Sequence, residues 1–483
     1  MSISLNSGQS LALLTDLYQL TMAYGYWNCG RAESEAVFHL TFRVNPSGGH
    51  FAVTCGLETA VEWLDELHLT GDDAQYLGGL TGVDGHPLFD DEFLAYLEQL
   101  TFRCDLDAIP EGTVAFPHEP LIRVRGPLLQ CQIIETALLN IINFQTLIAT
   151  KASRICRVAG DDEVLEFGLR RAQGIDGGLS ASRAAYVGGC HATSNVLAGK
   201  LFDIPVRGTH AHSWVMCFED ELQAFEEYAK AMPNNCVFLV DTFDTLDGVR
   251  NAIRVGEDLR KRGFEMIGIR LDSGNLAELS MQARVELDAG GFPDAKIVAS
   301  NDLDEFKIQK LKDQDACISV WGVGTRLATG HDQPALGGVY KLAAVRDHDQ
   351  WQHKIKLSND PIKISNPGIQ QVRRYSNETG FVGDVIYDEH LGIETDRQGQ
   401  DSANSFEDLL KPVFRNGKRV YESPSIHESR RRTIEQLAKL PSSITSVGYR
   451  TSDKKRDEYP VNLEPRLLEL KKRLIRQASG GVR

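Results

Sequence analysis

The chain has 483 residues, 42% hydrophobic and 25% charged, with 52 Lys and Arg against 67 Asp and Glu for a net charge of −15. That is ample apolar chain to bury large cores without disulfides or metals, in about two to four domains or one large barrel with additions. The acidic balance argues against general binding to nucleic acids or anionic membranes, which need a positive field, so an anionic substrate requires a local cluster of cations.

The opening MSISLNSGQS has neither the basic region nor the apolar run of a targeting segment. No apolar stretch reaches the roughly 20 residues of a membrane span. The nine cysteines are scattered and form no CxxC pair. They are expected to be free thiols in a reducing cytoplasm, not zinc ligands.

In chain order, the spacing of Leu17, Leu20, Tyr24 and Trp27 predicts a helix over 13–27, capped by Thr15 or Asp16. Residues 36–42 alternate as a strand does, and Pro46-Ser47-Gly48-Gly49 marks a loop. Residues 112–134 read as short strands with turns, and 135–154 as a long amphipathic helix. From 167 to 345 apolar runs alternate with helical segments at 246–262 and 275–289. The runs are 236–240, 266–271, 296–299 and 318–321, nearly continuous in apolar residues, as in a parallel sheet buried on both faces. Each ends in a polar or glycine turn: Asp241-Thr242, Asp272-Ser273-Gly274, Ser300-Asn301-Asp302 and Gly322-Val323-Gly324-Thr325. A β/α barrel fits this best, with an active site at the C-terminal strand ends, and an open doubly wound sheet would give similar spacing. Beyond 347 the chain is polar and turn-rich, with a hairpin at 371–386 and a charged, solvated helix over 451–483.

Three motifs carry chemistry. Phe167 beside Arg170 and Arg171 suits a planar anion, with arginine gripping a carboxylate and the ring stacking, although arginine pairs also serve in salt bridges. In Gly208-Thr209-His210-Ala211-His212-Ser213, two histidines at i, i+2 in extended chain would point the same way. Without a third ligand a metal is weakly supported, and one histidine suits proton transfer or attack on phosphorus. Arg270 and Asp272 set a cation and an acid at one strand end, the acid suited to a ribose hydroxyl or magnesium. A P-loop is absent, and Leu327 breaks a dinucleotide fingerprint.

Taken together, Leu13–Met22, Glu166–Gly174, Gly208–Val215, Ile269–Gly274, Ser300–Asp302, Gly322–Thr325 and Ala335–Lys341 resemble the nicotinate phosphoribosyltransferase family, in its order. The resemblance implies α/β architecture: an irregular, TIM-like β/α barrel (135–345) with a smaller α/β sandwich-like domain formed by the N-terminal (1–134) and C-terminal (346–483) segments. It implies formation of nicotinate mononucleotide and pyrophosphate from nicotinate and phosphoribosyl pyrophosphate. It also implies ATP hydrolysis coupled through a phosphohistidine, a need for Mg2+, and a cytoplasmic homodimer. His212 matches the phosphorylated histidine, Phe167 the stacking aromatic, Arg170 the substrate arginine and Tyr18 a tyrosine reaching into the partner's site. Arg270 and Asp272 match the ribose and phosphate pair, and Gly322, Gly324, Thr325, Gly337 and Gly338 the phosphate-binding turns. Thr209 and Ser213 are expected beside the substrate. No acid stands at Thr193-Ser194-Asn195, which favours nicotinate over nicotinamide. The rivals are a nicotinamide or quinolinate phosphoribosyltransferase and a catalytically silent binding relative.

Overall fold

The computed structural model describes residues 11–394, 403–446 and 458–480. They form two compact units, one from the described residues within Met1–Thr150, Ala335–Ser446 and Lys454–Arg483, the other from Lys151–Pro334.

In the second unit, six short strands pair in the order Ala192–Thr193, Glu163–Glu166, Val320–Val323, Lys296–Ala299, Gly268–Leu271 and Val237–Leu239. Every pairing is parallel. Helices follow the strands, among them Thr245–Lys261, which buries Val249, Ala252, Val255 and Leu259 at helical spacing. Leu165, Ala192, Val237, Val298 and Val320, one from each of five strands, form an apolar cluster that includes no helix residue. A doubly wound sheet would cover both faces with helices; a face packed on itself means the sheet curls into a barrel-like form. The last strand runs past the expected Trp321, because Gly322 and Val323 pair with Leu165 and Glu166.

In the first unit, a seven-stranded antiparallel sheet is built around Glu35–Phe42, flanked by Gly338–Asp347 and Ile122–Pro127. A four-stranded sheet centres on the hairpin Gln370–Asn377 with Gly380–Asp388. Phe38, Leu40 and Val124 from one sheet share a core with Val372 and Ile386 from the other, which makes the unit sandwich-like. The helix Glu135–Ala159 gives Ala137, Leu138, Ile142 and Leu147 to this core, and Leu336 and Tyr340 join it. The two compact units divide at 150/151 and 334/335, where the family resemblance implied 134/135 and 345/346.

Other expectations change for local reasons. The first helix is Leu17–Asn28, starting four residues late. Asp16 precedes it without capping, because its carboxylate accepts from Thr136 Oγ1 at 3.0 Å. Residues Leu128–Ile133 are helical, not extended. With the next helix they make an apolar stretch, Leu128–Ala159, long enough to cross a membrane, yet 56% of its most apolar window is buried inside the protein. The terminal helix is Pro465–Gly480, and its Leu467 and Leu470 are buried in the core instead of solvated. Residues 451–457 of the predicted segment lie outside the described residues.

Candidate active site

The C-terminal ends of the parallel strands bring the candidate residues together. After Glu163–Glu166, a short 3-10 turn, Leu169–Arg171, exposes Arg170 and Arg171, and Phe167 packs on the barrel core. Buried Glu166 anchors this lip. Its Oε1 accepts from the Gly168 amide, and its Oε2 from Ser182 Oγ at 2.9 Å and Thr193 Oγ1 at 2.6 Å. Asn195 Nδ2 in turn donates to Ser182 Oγ at 3.1 Å. A buried acid thus does touch the 193–195 segment, although none lies within it, and both its oxygens are taken by protein donors. A Cβ at Gly322 would stand 2.8 Å from the Phe167 ring, so the close approach that demands glycine there is the ring's.

The two histidines part company. His210 is buried beside Phe225, Phe238 and Tyr228, the last at 4.8 Å between ring centres, and its Nε2 accepts from the Leu239 amide at 3.3 Å. Burial pushes its pKa down to about 4, so it is neutral at pH 7. His212 opens a four-residue helix, His212–Val215, and therefore does not point as an extended i, i+2 partner would. Its Nδ1 lies 3.1 Å from Thr242 Oγ1 and its Nε2 3.9 Å from Asp272 Oδ2. Arg270 donates through Nη1 to Thr209 Oγ1 at 2.6 Å, and its buried Nε has no protein partner. Burial lowers its pKa, but guanidinium stays charged.

Asp272 is fixed from two neighbouring strand ends. Its backbone amide donates to Asp241 Oδ2 at 2.7 Å, an oxygen that also accepts from Ser273 Oγ at 2.7 Å. Its Oδ1 accepts from Ser300 Oγ. A cleft of about 970 Å³, open to solvent, is lined by Phe167, Arg170, Arg270, Asp272, Ser300, Asn301, Asp302, Gly322, Gly324 and Thr325, with Arg171 beside them. Three arginines and an aromatic ring around two carboxylates can hold a flat anion and a phosphorylated sugar together.

The cleft lining does not include the remaining predicted residues. Ser213 is exposed on its short helix, and Thr209 supports Arg270. Tyr18 is half exposed in the other unit, as are Gly337 and Gly338 part of it. The Gly338 amide donates to Asn143 Oδ1 at 2.9 Å, so it is not available to a phosphate. Arg171 lines the cleft beside its partner Arg170, and Asp241, Thr242, Asn301 and Asp302 are cleft or support residues to which no individual role was assigned. Polar residues directly after buried strands were their only signal. Among the described residues no three His, Cys, Asp or Glu side chains could hold a metal ion. Asp272, a carboxylate on the cleft wall, could meet a divalent cation carried on a ligand's phosphates.

Three family models match the chain: the nicotinate phosphoribosyltransferase N-terminal domain over 13–143, the family model over 163–418 and the C-terminal domain over 369–471. Nicotinate phosphoribosyltransferase of Bacillus subtilis is 44% identical over 94% of this chain and 93% of its own length. The human enzyme's crystal structure superposes with a TM-score of 0.81 at 32% identity, covering 95% of this chain and 99% of that one. Nicotinate-nucleotide pyrophosphorylase from Pyrococcus furiosus, 24% identical with a TM-score of 0.69 over 90% and 98%, shares the fold.

Proposed function

The chain belongs to the nicotinate phosphoribosyltransferase family, and from that premise we propose how its cleft performs the transfer, with ATP coupled through His212. The observation that carries this reading is the single cleft shared by Phe167, Arg170, Arg270 and Asp272.

Nicotinate lies on the Phe167 ring with its carboxylate on Arg170, leaving the ring nitrogen toward the strand ends. The nitrogen lone pair forms a bond to C1 of the ribose while the C1–O bond breaks, and the pair of electrons leaves with pyrophosphate. Asp272 orients a ribose hydroxyl, and Arg270, with an unspent Nε–H, meets the charge growing on the leaving group. Asp272 would also hold magnesium, which would supply further neutralisation of the negative charge on the leaving group. His212 Nε2 takes the γ-phosphoryl group of ATP, releasing ADP. Thr242 at Nδ1 fixes the ring, and hydrolysis of the phosphohistidine drives the cycle. The Arg170 guanidinium on the cleft wall pairs with a carboxylate and offers no acceptor to a carboxamide's NH2, which supports nicotinate over nicotinamide. The exposed Leu11, Leu14, Leu17, Tyr18 and Met22 support a homodimer face, checked by a solution mass of twice the chain's. The nine free cysteines support a cytoplasmic setting.

The test is one reaction with the ribosyl donor, ATP, and nicotinate, nicotinamide or quinolinate in turn, read by mass detection. Nicotinate mononucleotide with ADP is expected from nicotinate alone. A mononucleotide from another base, or none, overturns the reading. His212→Ala should abolish ADP formation and leave slow, ATP-independent transfer; intact ATP coupling removes His212 from its role.

A further inference from the structure

The turn after the strand Lys296–Ala299 is unusual backbone. Asn301 and Asp302 adopt φ of 100° and 52°, consecutive left-handed residues that carry side chains. L-residues are sterically penalised there and persist only when their surroundings hold them. Both line the cleft, and Ser300 before them donates to Asp272.

What holds the turn is Arg326, on the short helix Thr325–Ala328 after the neighbouring strand, and outside the cleft lining. Its Nε donates to Asp302 Oδ2 at 3.0 Å and its Nη1 to Asp304 Oδ2 at 2.9 Å. Asp304 also caps the helix Glu305–Lys312 through the Lys307 amide, and Lys307 Nζ donates to the Asn301 carbonyl at 2.7 Å. The planar fork meets the two carboxylates from two separate nitrogens in one plane, where a lysine ammonium offers a single point charge.

We propose that Arg326 is a positioning residue for the ribosyl donor: its forked pair with Asp302 and Asp304 fixes the Ser300–Asp302 turn, which carries Ser300 onto Asp272. It also neutralises a carboxylate in a cleft that must admit a polyanion. The inference rests on Asp272 as the donor-orienting carboxylate, a reading that Asp272→Asn tests by itself.

The experiment is steady-state kinetics on Arg326→Gln, Arg326→Lys, Ser300→Ala and Arg326→Gln/Ser300→Ala, with donor and nicotinate varied separately. Arg326→Gln should raise the donor KM about tenfold, with the nicotinate KM within about twofold, and Arg326→Lys should recover only part of this. Ser300→Ala should cost several-fold alone and less than about twofold when added to Arg326→Gln, because both act along one path. An unchanged donor KM in Arg326→Gln, or fully additive losses, overturns the inference. So does a loss confined to kcat that tracks the folded fraction. Should Arg326→Gln fold poorly, Asp302→Asn breaks the same fork while removing the charge, and the same raised donor KM is required of it. If Asp272→Asn alone leaves the donor KM unchanged, the underlying reading fails, whatever Arg326 does.

Discussion

Arg170 and Arg270 are the same residue type in one cleft, yet their surroundings divide their work. Arg270 is half-buried, tied by Nη1 to Thr209 and to the His210 carbonyl. Arg170 is exposed on a 3-10 turn beside Phe167, free to close on a ligand. Removing it should therefore cost the base more than the sugar. Arg170→Ala is expected to raise the nicotinate KM about tenfold or more, as loss of a charge-assisted pair does, with the donor KM changed much less. An unchanged nicotinate KM in a standard rate assay would take Arg170 out of that role. The same logic separates the histidines, whose types and spacing are legible in the sequence. Only the aromatic packing around His210 shows that it is a neutral structural residue.

At the scale of elements, the lip and the neighbouring strand are fitted to each other. Phe167 lies on Gly322, and the Gly168 amide is held by Glu166 from the same strand end. A methyl group at 322 must push the ring away, at a cost of about 1–3 kcal/mol for an overpacked contact. Gly322→Ala should raise the nicotinate KM while leaving the donor KM within about twofold. A wild-type nicotinate KM, measured with the donor saturating, would show that the ring does not support the base. Glycine at 322 was visible in the sequence, where it looked like a phosphate turn. The strand pairing that sets it against Phe167 joins residues over 150 positions apart, which no local pattern reports.

At the scale of the whole molecule, buried charge sets how stability responds to pH. Glu221 is buried under the strand-end acids, with Asn251 Nδ2 on its Oε2 at 3.2 Å, and its Oε1 has no protein partner. Burial first, then Asp241, Asp247 and Asp244, raise its pKa to about 7 from 4.5, against the pull of Asn251. A raised carboxyl pKa means that the folded state keeps a proton the unfolded chain releases. Its contribution to stability is complete below about pH 4.5 and is lost as pH rises through about 7. Glu221→Gln should thus gain Tm relative to the parent as pH rises across that window, followed by thermal melts in matched buffers. A constant difference across it would refute the assignment.

The linear chain determined the alternation of buried strands and amphipathic helices, the polar residue types at each strand end and the family motifs from Leu13 to Lys341. These depend on local periodicity and composition, which neighbouring residues encode directly. Folding decided the rest: that the parallel sheet curls on its own apolar face, that the N- and C-terminal stretches share one sandwich core, and that His212 faces Asp272 while His210 turns inward. It also decided that Arg326 reaches Asp302. Each of these joins residues far apart in the chain, and such contacts exist only once the strands have paired and excluded water from the core between them.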